Sequence, residues 1–313
     1  MLRILLSVLI LIFSSSIYSQ NIDAVENLYK KGMQHFQKGN YEESVAAFTR
    51  AIELTSTLGS NTKEMRNSFS GDAEKLDAAL ADRVTVIDPR TGVLYRDRGN
   101  VYFSMGDLDK AITDYGRAIA LSPGMAEAYH CRGTAWLTKK DYERAMADYD
   151  KALKIDPQYT RSYLGRGLAE LDMDKVKEAF NDFDHAVKTD PKCIEAYSYR
   201  GDALRQIGDY TKSLADFEYA MKLDPNFANS WLGRGTLRMM LRDYDGAMKD
   251  LTRAIELDRR LSQAYANRGY ILLVHLGKEA EAEKDFERAL AGAPWMRPEI
   301  EANIEKIKNA RKN

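Results

Sequence analysis

Apolar residues recur along most of this chain in pairs of helical stripes separated by short polar breaks. In Ala126–Tyr159, Tyr129, Trp136 and Leu137 share one stripe. Tyr142, Ala145, Met146, Tyr149, Ala152 and Leu153 form a second, at i, i+3/i+4, i+7 spacing. Lys139–Asp141 separates them. In two sister segments the break is Gly106-Asp107 or Gly208-Asp209, a helix stop followed by a good N-cap. Asp156-Pro157 closes the second stripe, because proline cannot continue a helix and restricts the residue before it. The pattern predicts a pair of antiparallel helices in each segment.

The segment repeats every 34 residues. Glycine falls at Gly99, Gly133, Gly167, Gly201, Gly235 and Gly269. Arginine precedes it each time, at Arg98, Arg132, Arg166, Arg200, Arg234 and Arg268. An aromatic stands four before it: Tyr95, Tyr129, Tyr163, Tyr197, Trp231 and Tyr265. Proline keeps the phase at Pro89, Pro123, Pro157, Pro191 and Pro225. Arg259 then interrupts the series, and Pro294 resumes it after one inserted residue near His275–Gly277. Neither helix of a pair can bury its stripe alone, so the pairs must stack on one another. Gly133 and Ala145 suit the close approach of two helices, with Tyr129, Trp136 and Tyr149 filling the space beside them.

The spacing aromatic-x2-Arg-Gly-x2-aromatic…Ala-x3-aromatic…Pro resembles the tetratricopeptide (TPR) repeat, W-x2-L-G-x2-Y…A-x3-F…P. The main departure is arginine in the leucine slot. The resemblance implies an all-α solenoid, a right-handed superhelix of antiparallel helix pairs, that acts as a non-enzymatic interaction scaffold. It also implies a protein or peptide partner on the concave face lined by the first helices. Relative to the glycine, that face takes the positions three before, one after, and four or five after. Here these give Arg96, Asn100 and Phe103; His130, Thr134 and Leu137; Leu164, Leu168 and Leu171; Ser198, Asp202 and Arg205; Leu232, Thr236 and Met239; Ala266, Tyr270 and Leu273. Leu232, Met239, Tyr270 and Leu273 are the expected anchors, because the last two sets are apolar and methionine adapts to its contacts. Packing on neighbouring helices is the competing role for the whole set. Some TPR domains clamp a chaperone carboxylate with Lys-x3-Asn, then Asn, then Lys or Arg. Arg96 and Asn100 resemble the first part, but Cys131 and Gly165 stand where the next polar groups belong, so that clamp is not expected.

The repeats assign the chain as follows. Residues 22–58 form a first repeat, with Gly32 in the glycine slot, Lys31 for the arginine, and no closing proline. Residues 59–91 are an irregular insertion or a degenerate repeat: Leu58–Asp72 reads as loop, and Ala73–Ile87 has helical spacing. Six repeats fill 92–296. Residues 297–313 form a capping helix and tail, with Pro298 in the first turn and Ile300, Ile304 and Ile307 on one edge. The start is different in kind. Arg3, the apolar run Ile4–Phe13 and the small residues Ser14–Ser19 have signal-peptide architecture and are too short to span a membrane as a helix. Residues 1–19 are therefore expected to be removed near Ser19–Gln20, leaving an exported, periplasmic or secreted protein without stable membrane insertion. An uncleaved N-terminal anchor is the alternative, and the alternative functions are an accessory subunit or regulator of an envelope enzyme or assembly complex, or an enzyme whose site carries no recognisable motif.

Composition adds little to this picture. With 46 basic and 47 acidic residues, no global field favours nucleic acid, and no nucleic-acid partner is expected. His35, His130, His185 and His275 show no metal-ligand spacing, and no phosphate-loop, dinucleotide or serine-nucleophile motif occurs. No cofactor, metal or catalytic residue is expected. Cys131 and Cys193 are 62 residues apart, nearly two stacked repeats, so an intramolecular disulfide is not expected either. The most regular polar pair is each arginine with an aspartate sixteen or seventeen residues later: Asp114, Asp148, Asp182, Asp216, Asp250 and Asp285. Six near-identical copies point to scaffold, an ionic ladder between helices that suits the forked guanidinium.

Overall fold

The computed structural model describes residues 21–68 and 90–310. All regular structure there is helical. The first pair is α1 (residues 21–37) and α2 (Tyr41–Ser68). It is followed by α3 (residues 90–104) with α4 (Leu108–Leu121), then α5 (Ala126–Thr138) with α6 (Tyr142–Ile155). Next come α7 (Thr160–Asp172) with α8 (Val176–Thr189), and α9 (Ile194–Ile207) with α10 (Tyr210–Leu223). The last pairs are α11 (Ala228–Met240) with α12 (Tyr244–Leu257), and α13 (Ser262–Val274) with α14 (Glu279–Gly292). A 3-10 turn at Pro294–Met296 leads into α15 (Arg297–Ala310). Two compact units are distinguishable, one ending at Gly165 and one beginning at Arg166. Residues 1–19 and Ala73–Ile87, the expected signal peptide and the expected helix of the irregular segment, lie outside the described residues.

Each helix pair is joined by the same device. The residue before the N-cap of the second helix takes a left-handed conformation: Gly39, Gly106, Gly208 and Gly277, but also Lys140, Asp174 and Arg242. Asp107, Asp141, Asp209 and Asp243 then cap their helices by accepting from the backbone N–H three residues on. In six of these turns the N-cap N–H reaches back five residues, as from Asp107 to the Tyr102 carbonyl at 2.9 Å. In the last, Lys278 reaches back six, to Leu272 at 2.9 Å, which absorbs the inserted residue.

Four second helices, α6, α8, α10 and α12, end in an aspartate whose carboxylate accepts a backbone N–H two residues later, as from Gln158 to Asp156 at 2.9 Å and from Asn226 to Asp224 at 2.8 Å. Asp258 does the same with the N–H of Arg260 at 2.9 Å. The turn therefore survives the loss of proline at Arg259. The first repeat has no such signal, and the result corrects the expected loop. Instead of ending at Leu58, α2 runs on as helix through Ser68. Neither proline nor an aspartate turn follows Leu54 to stop it, and the Thr55 and Ser56 hydroxyls donate to the Ile52 carbonyl within the helix.

Packing is set by glycine against ring. A Cβ on Gly133 would lie 3.0 Å from the Tyr149 ring, one on Gly167 would lie 2.6 Å from Phe183, and one on Gly201 would lie 2.9 Å from Phe217. These contacts are closer than side chains tolerate, so the aromatic of the second helix sits directly on the backbone of the first. Tyr149 and Phe217 are also approached by a second glycine, Gly165 and Gly233, from the following first helix.

The ionic ladder is present in all six repeats, with partly to fully buried partners. Each guanidinium donates Nε and Nη2 to both oxygens of its aspartate, at 2.7 and 2.9 Å for Arg98–Asp114 and 2.8 and 2.8 Å for Arg200–Asp216. In three repeats the remaining nitrogen also donates to the preceding second helix: Arg98 to Thr49 at 2.9 Å, Arg200 to Asp184 at 2.8 Å, Arg268 to Thr252 at 3.3 Å. The guanidinium also lies over the aromatic three residues before it, as Arg234 does over Trp231 at 5.2 Å. Arginine in the leucine slot thus ties both helices of its own repeat to the repeat before.

Candidate functional site

The expected partner residues lie on one side of each first helix: α3, α5 and the start of α7 in the first unit, and the rest of α7, α9, α11 and α13 in the second. Residues spaced by three or four on a helix share a side, so the glycine that seats the opposite helix fixes which side chains are left on this one.

On α3 and α5 the polar members of the face are Arg96, Asn100, His130 and Thr134. Arg96 donates from Nε and Nη2 to Asp97 Oδ1, at 2.9 and 2.8 Å, and from Nη1 to the Glu127 carboxylate on α5. Asn100 donates to Asp97 Oδ1 at 3.5 Å and accepts from the Tyr115 hydroxyl at 2.9 Å. Burial pushes the Asp97 carboxyl above its ordinary range, against the opposing pull of Arg96. Its Oδ2 has no hydrogen-bond partner among the described residues.

His130 is held between two tyrosines, 5.7 Å from Tyr149 and 5.3 Å edge-on from Tyr159, with Nδ1 3.3 Å from Ser162 Oγ. Burial, reinforced by Arg161, lowers its pKa to about 4, so it is neutral at physiological pH and acts as a packing aromatic. Thr134 accepts from the Tyr149 hydroxyl at 3.2 Å and donates to the His130 carbonyl at 3.1 Å. Cys131 is free and burial pushes its thiol up to about 12, which makes it a poor nucleophile.

Leu164 and Leu168 on α7 are half-buried. In the second unit, Asp202 on α9 accepts from Arg205 Nη2 at 3.1 Å, and its carboxyl is raised by burial. Leu232, Thr236 and Met239 on α11 are half-buried, and Thr236 accepts from Asn267 of α13 at 2.9 Å. Two expected residues are enclosed. Ser198 is fully buried, and Leu273 is only 5% exposed because it packs with Phe286, Met296 and Ile300. Tyr270 is largely committed as well: its ring lies 5.2 Å from Phe286 and its hydroxyl accepts from Asn303 on α15 at 3.2 Å. The capping helix therefore covers the end of the face where the strongest anchors were expected. Half-buried apolar residues remain at Leu164 and Leu168 on α7 and at Leu232 and Met239 on α11, the latter two resting partly on the α12–α13 cluster.

Three participants lay outside the expected set: Asp97, Glu127 and Asn267. Asp97 and Asn267 occupy the slot two before the repeat glycine, which holds Asp97, Cys131, Gly165, Tyr199, Gly233 and Asn267 in turn. A slot that changes at every repeat against a constant background was the available signal.

Family models for the tetratricopeptide repeat match residues 25–57, 99–139, 126–159, 194–227 and 232–294, together more than half of the chain. A DnaJ homolog subfamily C member 7 homolog from Dictyostelium discoideum is 26% identical over 118 residues, 36% of this chain. The match spans 22% of that relative's length. Among solved structures, a tetratricopeptide repeat protein from Parabacteroides merdae is 20% identical, with a TM-score of 0.62 over 87% of this chain and 94% of its own. Pseudomonas aeruginosa pilF is 17% identical, with a TM-score of 0.59 over 78% of this chain and 96% of its own. These two similarities concern the fold.

Proposed function

This chain belongs to the tetratricopeptide repeat proteins, and from that premise we propose that it is a non-enzymatic interaction scaffold of the cell envelope or exported space. It binds a peptide or helix of a partner protein along the exposed side of its first helices. The observation that carries this reading is how the side chains divide. The repeated residues, glycine, arginine, aspartate and the second-helix aromatic, are consumed by packing and the ladder. The side of the first helices that holds Arg96, Asn100, Leu164, Leu168, Asp202, Leu232, Thr236 and Met239 differs from repeat to repeat and stays half-accessible. Constant residues build the frame, and the varied ones are free to specify a partner. Export rests on the N-terminal apolar run, Ile4–Phe13, and its small-residue flank.

The test begins with an affinity pull-down from the native envelope and identification by mass spectrometry. Leu232→Ala and Met239→Ala are then compared with Lys249→Ala, an exposed residue of α12. Loss of affinity corresponding to more than about 1 kcal/mol in the first two, with the third unchanged and all three folded, supports the reading. Equal affinity in all three moves the site off this face.

A further inference from the structure

At the C-terminal end, α14 and α15 enclose a groove of about 340 Å³ with a floor of Leu273, Ala282, Phe286, Leu290, Ile300 and Ile304. Its geometry follows from the repeat. One step earlier, α14 itself lies against α13: Phe286 and Ala289 share a cluster with Ala266, Leu272 and Leu273 of α13, on which Met248 of α12 also packs. The groove between α14 and α15 is the next such position, since α15 stands where a first helix would and no second helix among the described residues follows it. Leu273, Ala282, Phe286 and Ile300 at its base are each 6% exposed or less, so Leu290 and Ile304 supply the accessible apolar surface for a docked helix.

The walls give the charge of the occupant. The polar residues lining the groove are Glu279, Glu283, Glu287 and Glu301, all acidic. Glu279, Glu283 and Glu287 recur every fourth residue and so form one stripe along α14. Glu301 faces them from α15, where it is paired with Arg297 at 3.3 Å. An apolar floor between acidic walls excludes an acidic helix, and it disfavours a second copy docked groove to groove, which would bring these glutamates together. We propose that this groove is a second docking site, which takes a basic amphipathic helix of a partner protein. That helix would present a small-x3-large apolar stripe, like Ala282-x3-Phe286 of α14, flanked by lysine or arginine. The site is independent of the first-helix face.

The test uses two labelled synthetic peptides with the same apolar stripe, one flanked by Lys/Arg and one by Glu, and reads fluorescence anisotropy with the full chain. The basic peptide should bind, with affinity that falls as salt rises, and the acidic peptide should bind at least about tenfold more weakly. Glu283→Lys with Glu287→Lys, both exposed positions, should weaken the basic peptide by about tenfold or more and strengthen the acidic one. This swap in preference separates a docking site from general loss of fold. Failure of the basic peptide to bind, equal binding of the two peptides, or an unchanged preference in the double variant would overturn the proposal.

Discussion

At the residue scale, the ladder arginine does most to distinguish this chain from a repeat with leucine in the same slot. Asp216 is 7% exposed and receives two nitrogens of Arg200. Removing one member leaves the other buried and uncompensated, whereas removing both leaves only a packing defect. Arg200→Leu should therefore cost about 3 kcal/mol, and Arg200→Leu with Asp216→Leu should cost clearly less than the sum of the single changes. A double-mutant cycle by denaturant unfolding measures this coupling.

A second residue breaks the repeat's rule in the opposite direction. Glu170 occupies the slot filled by Trp136, Leu204 and Leu272 in sister repeats. It is 8% exposed, and its Oε2 has no partner among the described residues. Burial first, then the neighbouring Asp182, raises its carboxyl to about 7. The folded state thus holds a proton that the unfolded chain releases near the ordinary carboxylate value. This contribution to stability is complete below that value and is lost as pH rises through about 7. Melting temperature should fall between about pH 4.5 and about pH 7 and level off above that, and Glu170→Gln should flatten the fall. An equal slope in wild type and variant assigns the dependence to another group. Periodicity exposes Glu170 as an oddity in the sequence, but its protonation depends first on its burial and then on the nearness of Asp182, which only the packing shows.

At the element scale, the turns between paired helices were legible from Gly-Asp pairs, but the same left-handed residue is Lys140, Asp174 or Arg242 in three repeats. A β-carbon there is strained by about 1–2 kcal/mol, partly offset by the greater flexibility of glycine in the unfolded chain. Arg242→Gly should stabilise by about 0.5–1 kcal/mol, read as a higher denaturation midpoint. The boundary of α2 was the element least legible in the sequence. Ser, Asn, Thr and Gly after Leu58 look like loop by composition. With no proline or aspartate turn to end the helix, composition did not decide the outcome.

At the scale of the whole molecule, the 34-residue phase makes the helix pairs, and the side of each first helix, readable in the sequence. The capping helix is readable too, from Ile300 and Ile304. Its consequence is not: α15 packs on the last repeat and removes Leu273, and most of Tyr270, from the accessible face. A periodic pattern assigns positions within a repeat equally, while the end of an array treats its last repeat differently. The acidic groove arises at that same end.

The central claim is that the varied side of the first helices binds a partner. Hydrogen–deuterium exchange of the full chain, with and without the pull-down partner, tests it most directly, because amides slow where a partner orders or covers their helix. Added protection concentrated in α9 and α11, with α10 and α12 little changed, is the predicted result. Protection confined to the second helices, or to the segment between α2 and α3, would contradict it.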